Sequence, residues 1–230
     1  MEGNLFIIIV TGIIAGSVHV LTGPDHMAAI APFSVSQPNK SWKTGLWWGL
    51  GHTGSVWIIG ILVFFFKEFI PLEGLSEWSE RLVGIMLIAL GIWGIQKAMS
   101  ARVHYHLHEH DGSAHAHFHL HNKQTAHGHD KQTVHQHKHA PLGIGILHGF
   151  AGSSHMIAIL PALALPGTLN AVGYIGGFGI GTIFAMVIFS WIIGAFIKKY
   201  IHGFSKAYKW VQVAFSGAAI VIGIFWLSNW

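Results

Sequence analysis

The sequence predicts an all-α polytopic membrane protein with six transmembrane helices, arranged as a 3+3 inverted repeat with broken helices at the bilayer midplane. Three observations support this: an apolar composition, six apolar stretches of spanning length, and a motif that occurs once in each half. Hydrophobic residues make up 52% of the 230 residues and charged residues only 10%, whereas soluble domains carry about a quarter charged residues. No cysteine is present, which excludes disulfides, thiolate metal sites and thiol redox relays.

Six apolar stretches are long enough to cross a bilayer, which takes roughly 20 residues in a helix. They cover 4–22 with a broken continuation to Phe33, then 44–66, 81–99, 142–165, 171–197 and 209–229. Because lipid cannot satisfy backbone N–H and C=O groups, we expect helices throughout these stretches. The chain then divides into an N-terminal three-helix repeat at 1–99, a histidine-rich loop at 100–140 and a C-terminal three-helix repeat at 141–230.

The positions of Lys and Arg predict the orientation, since cytoplasmic loops carry the excess of positive residues. With the N-terminus outside, eleven of the thirteen basic residues fall in inner loops, and only Lys67 and Arg81 fall outside. We therefore expect a multi-pass protein of the cell (plasma) membrane, with both termini outside and the long middle loop cytoplasmic. These topology signals account for the net charge of +4, so the lipid bilayer is an expected partner and nucleic acid is not.

The two halves of the chain share a motif. Residues 19–32 read HVLTGPDHMAAIAP and residues 148–161 read HGFAGSSHMIAILP, and the two segments agree at seven of fourteen positions. Three glycines downstream of the first motif, at 45, 49 and 51, recur at 173, 177 and 179. Because each half holds three predicted spans, the second half must enter the membrane from the opposite side. Many secondary transporters have such inverted repeats, with the substrate site at the midplane where broken helices meet.

Ionisable residues inside predicted spans mark a candidate site. They are His19, Asp25, His26, His52, His148 and His155. Such side chains cost several kcal/mol at membrane depth and normally face a functional cavity, although a single histidine could simply be a packed core residue. A continuous helix would separate His19 from His26 by about 10.5 Å along its axis. Pro24 lies between them and predicts a break that could bring both residues toward Asp25.

Imidazole nitrogen with at most one carboxylate suits nickel, cobalt, copper or zinc, whereas magnesium and calcium prefer oxygen ligands. A second histidine-rich region supports a metal partner: residues 104–139 hold thirteen of the nineteen histidines, mostly at alternating positions. With few apolar residues to form a core, this segment is expected to be disordered without metal. We interpret it as an arm that collects or senses cytosolic metal rather than as an inert linker.

The motifs HVLTGPDH at 19–26 and HGFAGSSH at 148–155, together with the histidine-rich insert, resemble those of the nickel/cobalt transporter superfamily (NicO and NiCoT), and most closely its UreH-like putative nickel permeases. The classical permeases carry His-x4-Asp-His in their second helix and have eight spans, whereas here five residues separate His19 from Asp25, in the first helix. The resemblance implies nickel or cobalt as cargo. The ligands that it carries over are His19, Asp25, His26, His148 and His155.

Three functions remain open from the sequence. The first is a nickel or cobalt importer in which His19, Asp25, His26 and His52 form the main site, and His148 and His155 complete it or form a second station. The second is an efflux carrier of the same fold, proton-coupled through its histidines. The third is an intramembrane hydrolase using Ser153 or Ser154, which lacks a Gly-x-Ser-x-Gly elbow. Uptake is the preferred function, and no enzymatic activity or cofactor is expected. A cytosolic metal donor or acceptor could be a partner.

Overall fold

The structure is a computed structural model that describes residues 4–66, 72–100, 102–110, 113–121, 139–150, 161–162, 164–201 and 205–228. In chain order the elements are α1 (Leu5–Thr22), α2 (Pro24–Ser36), a 3-10 turn (Pro38–Lys40), α3 (Ser41–Phe66), α4 (Leu72–Ser100), β1 (Arg102–His110), β2 (Ser113–His121), α5 (His139–Phe150), α6 (Thr168–Phe196), a π-helical turn (Ile197–Ile201) and α7 (Ser205–Ser228).

The described helices are those of a multi-pass membrane protein. Four segments are long and apolar enough to cross a bilayer, at Leu5–Thr22, Glu80–Ser100, Thr168–Ile201 and Lys206–Ser228. Helix α3 has 26 residues, which is ample length for a span, although it is not one of these four segments. Helix α5 has 12 residues and is too short to cross alone. The helical class is therefore confirmed among the described residues, whereas the count of six spans is not.

The close contacts of glycine residues show the relative directions of the helices. A Cβ added at Gly12 would collide with the carbonyl of Tyr174, and one at Gly16 with the carbonyl of Phe178. Both contacts advance along the chain together, so α1 and α6 run parallel. Close approach through small residues is the usual packing mode of membrane helices. The hydroxyl of Ser17 adds an interhelical hydrogen bond to the Gly181 carbonyl at 3.2 Å.

The same type of contact joins α5 to α3. A Cβ at Gly145 would collide with the carbonyl of Trp48, and one at Gly149 would come within 2.5 Å of the carbonyl of His52, so this pair is also parallel. Helices α3 and α6 are antiparallel, because Gly45 lies against Met186 and Gly49 against Ile183. It follows that α1 and α5 point in opposite directions. An inverted repeat requires these directions, although the 3+3 repeat itself stays a prediction.

Helix α2 lies in the centre of the bundle. Eleven of its thirteen residues are buried, and it packs against α7, α3, α6 and α4. The side-chain amide of Gln212 in α7 donates a hydrogen bond to the carbonyl of Pro32 at 3.1 Å. Pro32 lies inside α2, where a proline leaves the backbone ladder incomplete. Four helices of the bundle therefore surround α2.

The histidine-rich segment contains an antiparallel hairpin, in which β1 pairs with β2 and His106 is the partner of His117. It is the only β structure in the part of the chain that the structure describes, and residues 122–138 lie outside that part. The disorder expected for 100–140 without metal, and the three region boundaries, stay predictions.

Candidate metal centre

The break between α1 and α2 brings the first two histidines together. Helix α1 ends at Thr22, Gly23 adopts an extended conformation with φ −84° and ψ 99°, and Pro24 begins α2. Proline is well suited to the first helical position because it has no N–H to leave unpaired. In this geometry the ring centroids of His19 and His26 lie 4.7 Å apart, less than half the separation of about 10.5 Å along a continuous helix.

Glycine is needed at position 23 because the backbone there lies close to the side chains of His26 and Asp25. A Cβ at this position would collide with Nδ1 of His26 and would lie 3.0 Å from Oδ1 of Asp25. A side chain there would therefore displace the two residues that begin α2. Asp25 is also in the first turn of α2, where the helix dipole favours a negative charge.

Two further histidines reach the same point from other helices. His52 of α3 lies 5.0 Å from His26 between ring centroids, and His148 of α5 lies 4.6 Å from His26. His148 and His52 are 5.6 Å apart. Helices α1, α2, α3 and α5 thus contribute ionisable side chains to one cluster, with His26 at its centre.

The carboxylate of Asp25 bridges two members of the cluster. Its Oδ1 lies 3.0 Å from Nδ1 of His26, and its Oδ2 lies 3.1 Å from Nε2 of His148. Asp25 is 6% exposed and His26 is 1% exposed. His52 and His148 are fully buried, whereas His19 is only half-buried. The helix packing therefore encloses the cluster almost completely, with His19 its most accessible member.

The donor atoms form two overlapping groups of three. One consists of His19, His26 and His52, and is called the all-histidine triad here; the other consists of Asp25, His26 and His148, and is called the aspartate triad. Within each triad one donor atom per residue lies within 4.8 Å of the others. Protein nitrogen lies about 2.0–2.1 Å from a bound zinc ion, so donors on opposite sides of an ion are about 4 Å apart. Small side-chain rotations would suffice for each triad to close on an ion.

Two aromatic side chains, one from each half of the chain, lie against the cluster. Trp48 lies 5.2 Å from His148 between ring centroids, and Phe178 lies 5.4 Å from His19. Packing relates the two pairs: a Cβ at Gly145 would meet Trp48 and His52, and one at Gly16 would meet Phe178 and Thr182. Under the predicted inverted repeat, Thr182 would be the counterpart of His52.

Five of the six sequence-predicted ligands meet in this cluster, namely His19, Asp25, His26, His52 and His148. His155 lies outside the described residues, as do Ser153 and Ser154. That these residues bind a metal stays a prediction. Trp48 is a contributor that the sequence analysis does not identify. Trp48 could have been found, because it precedes His52 by four residues and so shares its helix face.

Comparison with known proteins places the chain in a family. Residues 8–225 match the family described as the cytochrome C biogenesis protein transmembrane region. No solved structure matches the chain. The absence of cysteine means that thiol–disulfide exchange, which requires thiolates, cannot be carried out by these 230 residues.

Three curated proteins are similar over most of the chain. Chloroplast proteins FOR GROWTH AND FERTILITY 1 and 2 of Arabidopsis thaliana are 32% and 31% identical over 94% of this chain, and the chain spans 59% and 56% of their respective lengths. The urease accessory protein UreH of Bacillus sp. (strain TB-90) is 33% identical over 83% of this chain and 78% of its own length. The similarity to UreH inferred from the two histidine motifs is confirmed. The chain therefore belongs to the cytochrome C biogenesis protein transmembrane region family, in a cysteine-free form related to UreH.

Proposed function

We propose that this protein is a secondary transporter that carries a divalent transition metal ion, Ni²⁺ or Co²⁺, across the bilayer, with uptake as the preferred direction. The observation that carries the proposal is the convergence of four histidines and one aspartate from four helices inside an apolar bundle. The ion is the substrate, and no resident cofactor is part of the proposal.

The chemistry of the cluster supports a metal ion as the occupant. Burying ionisable groups among membrane helices is costly, and such groups commonly serve an ion pathway. Imidazole nitrogens and a single carboxylate are the donors that nickel, cobalt and zinc accept readily, whereas magnesium and calcium favour oxygen-only shells. The resemblance of the two motifs to the UreH-like nickel permeases adds nickel and cobalt as the preferred cargo.

The position of the cluster supports transport rather than a structural metal site. It lies at the break between α1 and α2, and at the end of the short helix α5, whose direction is opposite to that of α1. In secondary transporters, ions bind where such interrupted helices of inverted halves meet, and the halves rock around the site.

An efflux carrier of the same fold is the second candidate, and the histidine-rich segment favours it. Thirteen histidines between 104 and 139, on the side predicted to be cytoplasmic, could gather metal from the cytosol for export. For an importer the same segment would receive the ion or report sufficiency. The hydrolase alternative gains no support from the described residues.

Total cell nickel in an expressing host tests the proposal. At sub-toxic external nickel, cells with the wild-type protein are compared with cells producing His26→Ala at equal membrane level. Higher nickel in the wild-type cells supports uptake, and lower nickel supports efflux. Equal nickel, followed by equal cobalt and equal zinc, contradicts transport of a divalent metal.

A further inference from the structure

The cluster holds two metal-binding groups that share one histidine. His26 belongs to the all-histidine triad with His19 and His52, and to the aspartate triad with Asp25 and His148. Its ring centroid lies 4.7 Å from that of His19, in the first triad, and 4.6 Å from that of His148, in the second. It is 1% exposed, so both groups meet it inside the protein. This geometry raises the question of whether both groups can be occupied at once.

A neutral imidazole cannot bind a metal ion in both triads at once. One of its two ring nitrogens carries a proton and only the other offers a lone pair to a metal. Nδ1 of His26 lies 3.0 Å from the Asp25 carboxylate, so with its proton on Nδ1 the ring donates to Asp25 and offers Nε2. Carboxylates commonly fix metal-binding histidines in this way. With its proton on Nε2, the same ring offers Nδ1 on the side of Asp25.

We propose, on the basis of the transport function proposed above, that His26 hands a single metal ion from the all-histidine triad to the aspartate triad by exchanging the nitrogen that binds it. In the first station His26 binds through Nε2, and its Nδ1–H donates to Asp25. In the second station His26 binds through Nδ1, beside the carboxylate of Asp25 and His148. The proton lost from Nδ1 is regained at Nε2, so the exchange is a tautomerisation in which the ring is neutral in both stations and no net proton is taken up or released.

The two stations differ in access and in charge. His19 of the first station is half-buried, whereas the three members of the second are at most 6% exposed. The first station has only neutral nitrogen donors, and the second includes a carboxylate. Transfer therefore moves the ion from a more open, neutral site into an enclosed, anionic one. Asp25 acts in both, first as the partner of His26 and then as a ligand.

Cobalt binding to the purified protein in detergent tests this inference, because Co²⁺ has visible absorption bands that report its ligands. The variants are His52→Ala, which removes the first station, His148→Ala, which removes the second, and His26→Ala, which removes both. His52→Gln and His148→Gln serve as a second pair if an alanine variant fails to give a single monodisperse species. Bound cobalt is measured by equilibrium dialysis, and cobalt flux in liposomes is measured in parallel.

The expected result is one cobalt ion per chain in the wild-type protein and none in His26→Ala. Each single-station variant keeps one ion with an apparent affinity within about tenfold of the wild type, because losing one of two comparable states removes only its share of the population. The two variants differ in their visible spectra, and neither transports cobalt. If His52 or His148 had only a structural role, its loss would not abolish cobalt flux while leaving cobalt binding in place.

Several results would overturn the inference while leaving a metal transporter in place. They are two ions bound per wild-type chain, loss of binding in a folded single-station variant, identical spectra for both variants, or wild-type flux in either of them. Absence of cobalt and nickel binding by the wild-type protein would instead overturn the proposed function itself. The two failures are therefore distinguishable in one set of measurements.

Discussion

The imidazole of His52 lies flat against the indole of Trp48, with ring centroids 4.8 Å apart and ring planes inclined by 12°. Both residues are fully buried in α3, one helical turn apart. The stack fixes the plane of the His52 ring, and with it the direction in which its nitrogens point. Trp48 also contacts His26 and His148, at 5.8 and 5.2 Å between ring centroids, so one indole braces three of the proposed ligands.

Replacing Trp48 by Leu is expected to weaken nickel binding by about tenfold, as is usual when the support of a metal ligand is lost. His52 would then sample other ring orientations. Titration calorimetry with Ni²⁺ in detergent measures the effect. Trp47→Leu is the matched control, because Trp47 is the neighbouring residue and 39% exposed. A similar loss of affinity in both variants would mean that the stack with His52 does not matter.

Replacing Gly23 by Ala is expected to disturb the site directly. The added Cβ would collide with Nδ1 of His26, so α2 must shift and the Asp25–His26 contact must lengthen. We expect a loss of nickel affinity of about tenfold or more in a protein that still folds. Gly176→Ala is the control, because a Cβ there meets no atom within 4 Å. Unchanged affinity in Gly23→Ala would show that the break tolerates a side chain.

Replacing Gly16 by Ala is expected to lower stability rather than to alter a ligand. The new methyl group would collide with the carbonyl of Phe178 and force α1 away from α6. Overpacking of this type costs about 1–3 kcal/mol. Thermal unfolding in detergent, without metal, checks the prediction. Gly54→Ala should unfold at or above the wild-type temperature, since its Cβ would meet no atom within 4 Å. Equal unfolding temperatures for both variants would contradict the packing described for α1 and α6.

Deleting residues 104–139 is expected to raise the nickel concentration that gives half-maximal flux and to leave maximal flux unchanged. A tract of interchangeable imidazoles raises the local metal concentration without forming a selective site. Flux measured over a range of nickel concentrations separates the two parameters. A control chain of equal length, with Ser in place of the thirteen histidines, distinguishes metal capture from loop length. Complete loss of transport in that control would make the histidines part of the pathway.

Much of the site could be predicted from the sequence because its signals are local and chemically unusual. An Asp and several His residues within apolar stretches stand out by composition, and Pro24 marks the break. The register of the predicted repeat, meaning which residue of one half corresponds to which residue of the other, is harder to read from the sequence. The glycine pattern aligns Gly51 with Gly179, an offset of 128, whereas the contacts of Gly16 and Gly145 relate Trp48 to Phe178, an offset of 130.

Features that depend on three-dimensional packing could not be predicted. The division of the cluster into two triads follows from how α3 and α5 pack, since His52 and His148 are 96 residues apart in the sequence. The near-complete burial of α2 likewise depends on α7, whose Gln212 reaches the carbonyl of Pro32. Apolar helices carry little periodic signal about which face meets which neighbour. The count of six spans stays a prediction, because parts of the apolar stretches, including residues 151–160, lie outside the described residues.

Nickel flux in liposomes that contain the purified protein tests whether the buried cluster carries the ion across the bilayer. Vesicles loaded with a metal-sensitive fluorophore receive external Ni²⁺, and wild type is compared with His26→Ala and with the exposed-site control Trp47→Leu. We expect rapid, saturable quenching with the wild type and the control, and only the leak rate of protein-free vesicles with His26→Ala. Equal flux with wild type and His26→Ala would show that the buried cluster does not carry the ion.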